Sequence, residues 1–451
     1  MSEFSLMPDR RAFLQLALAG GAATMLGGCA SAATSAVEPA RPAFRLPARF
    51  ANLDAFLADY VRSNRLPGAL AAIGAGTAPP VILAHGRTAM DSSTPVDGDT
   101  LWRLYSMTKP VTGIAAMMLI DRGRLTLDTP LGDILPAFRN MRVLASADAP
   151  LDRTVAAERA ITIRHLLTHT AGLGYGIAGT RPIDRAWQER GLTPGQVSKL
   201  SLPGRPSGRT RGPLSTWADE VAKLPLLAQP GTRWSYSASL DLLGRVIEVV
   251  AAKPFDRFLA DEIFGPLGMR STGFRVAAAD LPRLVTAYAP FGGVLMPVDP
   301  ARDSVYADAP SFPFGGAGLV SSARDYDRFL MMLAGYGAIG RTRILSERTA
   351  RLAMSNLLPA GTDTRGTFVA GQGFGAGGRV SVTGAPEGAG VFGWAGAAGT
   401  VAFVDPARGI RFGAYANYLP AEAYDFQRRA PELFLSDLAG RPVASPVPPR
   451  A

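Results

Sequence analysis

Apolar positions recur at helical spacing in LDAFLADYVRSNRLPG, where Leu53, Phe56, Leu57 and Tyr60 share one face before Pro67 and Gly68 end the run. Two short apolar runs follow, ALAAIGAG and VILAHG, which predict a pair of strands. Toward the other end, TVAFVDPARGIRFGAYANY is two apolar runs joined across Asp405 to Gly409, a predicted hairpin, and AEAYDFQRRAPELFLSDL reads as a closing helix. Strands at both ends around a longer, helix-rich middle predict one sheet assembled from both ends of the chain, with an inserted, mostly helical lobe. No repeat of fixed period interrupts this plan. Within it, PVTGIAAMMLIDRGRL is apolar on nearly every side until Asp121, which predicts a helix buried through its length.

Composition supports a folded chain. Of 451 residues, 47% are apolar and 19% charged, enough for a sizeable core. The net charge of +10 comes from arginines spread along the whole sequence, and no basic stretch is interleaved with aromatics as a single-strand groove requires. Nucleic acid is therefore not an expected partner. Arg205, Arg209 and Arg211 in PGRPSGRTRGP read as a solvated loop. Lysine occurs only at Lys109, Lys199, Lys223 and Lys253, so arginine serves wherever a generic positive charge suffices. A lysine in this chain is a candidate for chemistry that arginine does not perform.

The ends carry other signals. Arg10 and Arg11 precede an apolar, Gly/Ala-rich run of signal-peptide length that resembles a twin-arginine export signal. Next comes LGGC, Leu26 to Cys29, which resembles a bacterial lipobox and implies lipidation at Cys29. Cys29 is the single cysteine, which excludes an internal disulfide and a cysteine metal site. The expected organisation is a signal peptide (1–29), a flexible tether (30–49), a folded domain (50–440) and a Pro-rich tail (441–451). Ala30, where inner-membrane lipoproteins carry aspartate, points to the outer membrane and the periplasmic side of the envelope.

LYSMTKPVTG, residues 104–113, holds the candidate chemistry. Pro110 is tolerated only in a first helical turn, which places Ser106 at the helix N-terminus and Lys109 on the same face. Free backbone N–H groups and the positive dipole end there favour a developing oxyanion, which suits acyl transfer by a serine nucleophile. A lysine takes the hydroxyl proton only when its surroundings bring its pKa down from about 10.4. The same residues also fit a helix cap at Ser106 with a surface charge at Lys109, and taken alone they leave both readings open.

Further motifs decide between them. Ser106-x-x-Lys109 resembles the first motif of the penicillin-recognising serine hydrolases: class C β-lactamases, DD-peptidases and family VIII carboxylesterases. IRHLLTHTAGL, PGTRWSYSASLDLLGRVIEVV with Tyr236, FGGAGLVSSARDYDRFL and GWAGAAGT follow in that superfamily's order. The resemblance implies an α/β (α+β) β-lactamase/transpeptidase-like fold, an antiparallel sheet from both chain ends flanked by helices. It implies that Ser106 attacks a carbonyl, that Lys109 and Tyr236 share the proton transfers, and that the backbone N–H groups of Ser106 and Ala397 form the oxyanion hole. No cofactor or metal enters that chemistry.

Two departures shape the expected substrate. Tyr-x-Asn is replaced by Tyr236-Ser237-Ala238, and Lys-Thr-Gly by Trp394-Ala395-Gly396, so the cation that pairs with the carboxylate of a β-lactam or D-Ala-D-Ala peptide is absent. Trp394 and Gly396 are thus expected to line a site for a small uncharged ester, as in family VIII esterases. A β-lactamase or DD-peptidase is the alternative; a non-catalytic envelope protein is disfavoured because Ser106, Lys109 and Tyr236 are all present.

Other hydrolytic chemistries find little support. No serine lies in G-x-S-x-G, and His85, His165 and His169 are too few and wrongly set for a triad. His165 and His169 are four residues apart, but no glutamate lies between them and no third ligand is evident, so a structural role is expected and no metal site. The stretch from Leu173 to Trp234 carries no anchoring motif, and the resemblance implies that it shapes the substrate cleft and sets specificity.

Overall fold

The computed structural model describes residues 44–177, 179–200 and 212–441. The signal segment, Cys29, the Arg205–Arg211 loop and all but the first residue of the Pro-rich tail lie outside the described residues. The helix Ala51–Arg62 forms where the apolar spacing predicts it and buries Leu53, Phe56, Leu57 and Tyr60. Its partner is the closing helix Phe426–Leu438: Phe56 stacks on Phe426 with ring centroids 5.8 Å apart, and Phe50 on Phe434 at 6.0 Å. The Asp437 carboxylate accepts from the backbone N–H groups of Asn52 (3.1 Å) and Leu53 (3.0 Å), so a charge from the last helix sits on the open N–H end of the first. Phe44 and Leu46 also pack on this cluster, so the packed body reaches back before Phe50 into the expected tether.

The two predicted strand pairs join into one seven-stranded sheet, and every pairing in it is antiparallel. Gly68–Ala75 lies between Val81–Gly86 and Ile410–Tyr415, with Leu70 opposite Tyr415. Outward from there run Val401–Asp405, Phe392–Ala395, Arg379–Val380 and Gly373–Phe374. Alternation along the central strands assigns the faces: Ala69, Ala71 and Ile73 join Phe412 and Ala414 under the two terminal helices, while Leu70 and Ala72 join Tyr415 in the main core.

That main core holds the helix Thr108–Asp121, every residue of which from Thr108 to Leu119 is buried. Gly113 lies against the Ala376 carbonyl, where a β-carbon would collide. Beyond it stand the helices Ile163–Leu167, Pro182–Glu189, Leu214–Ala222 and Ser239–Ala251. The inserted region is not purely helical: Ala287–Phe291 and Val294–Asp299 form a hairpin across Gly292 and Gly293, both at positive φ.

One buried ion pair holds the segment that leads into Ser106. Strand Leu101–Arg103 pairs with Val320–Ser322, and Arg103 has no exposed surface. Its guanidinium donates to Asp299 Oδ2 (2.7 Å), the Asp299 carbonyl (3.0 Å), Ser304 Oγ (3.1 Å) and the Val285 carbonyl, while its backbone N–H donates to Asn417 Oδ1 (3.0 Å). Asp299 in turn accepts from Ser304 Oγ (2.6 Å) and the Val305 N–H (3.0 Å). Removing one partner strands the other charge without solvent. Asp299→Ala should lower the unfolding free energy in urea by about 3–5 kcal/mol. A loss no larger than the roughly 1 kcal/mol of a surface pair would show that Arg103 finds other compensation.

Candidate active site

The chain enters the site through Tyr105, whose φ of 44° is in the left-handed region where non-glycine residues are strained. A short 3-10 turn, Tyr105–Met107, then presents Ser106 before the helix begins at Thr108, with Pro110 in its first turn. Met107 occupies the N-cap position and no side chain caps the helix, so Ser106 is not a capping serine. Nor is Lys109 a surface charge, because it is fully buried.

Both side chains turn toward Tyr236. Lys109 Nζ donates to Ser106 Oγ at 3.1 Å and to the Gly316 carbonyl at 2.7 Å. The Tyr236 hydroxyl donates to Ser106 Oγ at 2.6 Å and accepts from Trp394 Nε1 at 3.3 Å. Lys109 Nζ also stands 4.5 Å from the centre of the Tyr236 ring. Ser106, Lys109, Tyr236 and Trp394, drawn from separate parts of the sequence, therefore form one connected group. Gly396 presses against the Leu104 carbonyl, where a β-carbon would not fit, and donates its N–H to the Thr400 carbonyl at 2.8 Å. That close approach brings the exposed turn residue Ala397 to the Ser106 segment. Ala238 is packed in the main core.

Four residues that the sequence reading does not place at the site belong to this group; of them only His169 has an expected role, a structural one. Tyr175, two positions beyond HTAGL, packs edge-on against Tyr236 at 5.3 Å, and its ring centre is 5.6 Å from Lys109 Nζ. Gly316, within the FGGAGLV motif, contributes backbone rather than a side chain. Asp241 lies in the first turn of Ser239–Ala251 and accepts from the Gly316 N–H at 2.9 Å, so the backbone of this one residue, through the peptide groups on either side of its α-carbon, joins Asp241 to Lys109. A β-carbon at Gly316 would strike the Asp241 carboxylate. His169 at φ 56° is fully buried, approaches the Tyr236 ring at 4.9 Å, and has Nδ1 3.0 Å from Ser237 Oγ. The serial pattern signals none of these contacts except the aromatic placed just after HTAGL.

Electrostatics follow from burial. Desolvation, aided by the Lys109 charge, holds His169 well below the usual imidazole range, so it stays a neutral packing partner of Tyr236. Desolvation pushes the Asp241 carboxyl up to about 6, against the opposing pull of Lys109 and the Gly316 N–H. The two histidines do not act as a pair. His165 closes a capping box with Thr162, its Nδ1 accepting from the Thr162 N–H at 3.1 Å, while His169 faces Ser237. Among the described residues no group of three or more His, Cys, Asp or Glu could hold a metal ion.

A buried serine hydroxyl joined to an amine and a phenol, with an aromatic on the phenol, defines an active-site serine hydrolase. The comparisons agree, and the chain belongs to the β-lactamase family, whose model matches residues 53–434. It is 32% identical to Esterase EstB of Burkholderia gladioli over 80% of this chain and 88% of that protein. It is 38% identical to Protein Rv1367c of Mycobacterium tuberculosis over 70% of this chain and 77% of the relative. Among solved structures, EstCE1, "a hydrolase with promiscuous acyltransferase activity", superposes with a TM-score of 0.69 at 28% identity, covering 86% of this chain and 98% of its own. EstB and EstCE1 support the resemblance to the family VIII carboxylesterases.

The Asp241 environment generates a test. The fold favours the protonated carboxyl, so its contribution to stability is full below the unfolded value of 3.8 and is lost as pH rises through about 6. Between pH 4 and pH 8 the wild type should lose about 2 kcal/mol that Asp241→Asn does not lose. Parallel urea titrations of the two proteins at both pH values measure this, and identical pH dependence would rule it out.

Proposed function

We propose that this protein hydrolyses neutral carboxylic esters through an acyl-enzyme on Ser106. The observation that carries the reading is Trp394, which donates to the Tyr236 hydroxyl where a penicillin-processing relative would carry the lysine of Lys-Thr-Gly. Ser106 Oγ attacks the ester carbonyl and its proton passes to the Lys109–Tyr236 pair, both hydrogen-bonded to it. The tetrahedral oxyanion is received by the backbone N–H groups of Ser106 and Ala397. The alcohol leaves with a proton from the same pair, and water then releases the acid by the reverse sequence. Trp394 and Gly396 form the substrate-side wall.

A β-lactam or a D-Ala-D-Ala peptide is a poor fit because its carboxylate would meet the Trp394 indole instead of an ammonium group. Incubation with a fluorophosphonate should add one adduct on Ser106 by mass spectrometry, whereas a penicillin should leave none. Ser106→Ala should cut kcat/KM for p-nitrophenyl butyrate by at least about 10³-fold. Wild-type turnover by that variant, or a stable penicilloyl adduct on the wild type, would reject the assignment.

The N-terminal sequence supports a location. The Arg10-Arg11 pair, the apolar run and the LGGC motif support export to the periplasmic side of the envelope, with a lipid on Cys29 holding the enzyme at a membrane, the outer one by Ala30. Among the described residues no helix is long and apolar enough to cross a bilayer. Cys29→Ala should move the protein from the membrane pellet to the soluble fraction. Unchanged fractionation would exclude the anchor.

A further inference from the structure

Phe368 is 65% exposed, an unfavourable setting for so large an apolar ring, and it stands beside Tyr236, the phenol that hydrogen-bonds Ser106. Its ring meets Trp234 edge-on at 5.1 Å, Tyr236 edge-on at 5.4 Å and Trp394 tilted at 5.8 Å. The loop that carries it is fastened on both sides. Ahead of Phe368, the Asp363 N–H donates to the Thr232 carbonyl and the Trp234 N–H to the Asp363 carbonyl, both at 2.9 Å. Behind it, Val369 is fully buried with Trp234 and Phe374. The ring is therefore a fixed ledge.

The ledge is apolar in character. Trp394 Nε1 is directed at the Tyr236 hydroxyl, and Arg365, three residues before Phe368, is tied to Asp363 at 2.8 Å. Its position relative to the chemistry follows from the proton path. Of the two groups on Ser106 Oγ, Lys109 is fully buried while Tyr236 is half-buried, so Tyr236 is the one a substrate can approach. When the ester C–O bond breaks and the Ser106 acyl bond forms, the alkoxide takes a proton, and the Tyr236 hydroxyl is placed to give it. The serine proton replaces the one given. The leaving oxygen then lies within hydrogen-bond reach of Tyr236, and the group attached to it extends over Trp394 and Phe368.

We propose that Phe368 is a specificity-determining residue, the outer wall of an alcohol subsite that accepts aryl or branched apolar alcohols. The assignment rests on the esterase reading of Ser106. Edge-on and offset contacts with Trp394 and Phe368 reward an aromatic leaving group and give nothing to ethanol. Two substrate series test it: acetate esters whose alcohol runs from ethyl to 2-naphthyl, and p-nitrophenyl esters whose acyl group runs from acetyl to butyryl. Phe368→Ala should lower the naphthyl-to-ethyl ratio of kcat/KM about tenfold while the butyryl-to-acetyl ratio stays as in the wild type. Phe368→Leu should keep part of the selectivity and carries the comparison if the alanine variant loses fluorophosphonate labelling of Ser106. An unchanged naphthyl-to-ethyl ratio, or a change in the acyl series instead, overturns the subsite. Failure of the wild type to hydrolyse either series defeats the esterase reading itself, so the two failures are distinct.

Discussion

The site depends on the complete burial of the Lys109 amine beside a serine hydroxyl. An amine without access to water must find its hydrogen bonds inside the protein. Lys109 finds one acceptor in the Gly316 carbonyl and another in Ser106 Oγ, while the Tyr236 ring covers its remaining side. The rest of the architecture holds that amine in place. Helix Thr108–Asp121 is buried along nearly its whole length, Gly113 lets it approach the Ala376 carbonyl, and Asp241 holds the N–H of Gly316, the residue whose carbonyl Lys109 meets.

Strain and anchoring meet just before the nucleophile. Tyr105 is held at positive φ by its surroundings, between the buried Arg103–Asp299 network on one side and the rigid helix on the other. Such a conformation persists only where its neighbours over-determine it. The consequence is a serine on a sharp turn, held by hydrogen bonds to Lys109 and Tyr236, which under the proposed acyl-enzyme mechanism reduces the reorganisation that attack requires.

An aromatic cluster surrounds Tyr236. His169, Tyr175, Trp234, Trp394 and Phe368 all pack on or beside the phenol, so one group of rings holds the side chain whose hydroxyl meets Ser106 Oγ. Trp394 in the third motif therefore brings more than a change of charge: its indole joins the ring cluster and donates to the Tyr236 hydroxyl.

Much of this was legible in the sequence. The apolar spacing of Leu53, Phe56, Leu57 and Tyr60, the strand pair ending at Gly86, and the hairpin across Asp405 to Gly409 are local patterns, and local patterns survive folding when tertiary packing agrees with them. The order of motifs also singled out Ser106, Lys109, Tyr236 and Trp394, which the structure brings together through hydrogen bonds. Asp241, Gly316, His169, Tyr175 and Phe368 were not legible as members of the site. Their roles arise from contacts between segments far apart in the chain, and Gly316 acts through a backbone carbonyl that any residue type possesses. Residue identity by itself singled out Ser106, Lys109 and Tyr236, the three side chains that the fold brings into one hydrogen-bonded group. Only the tertiary structure decided what surrounds them, because burial and ring contacts exist only once distant segments have packed.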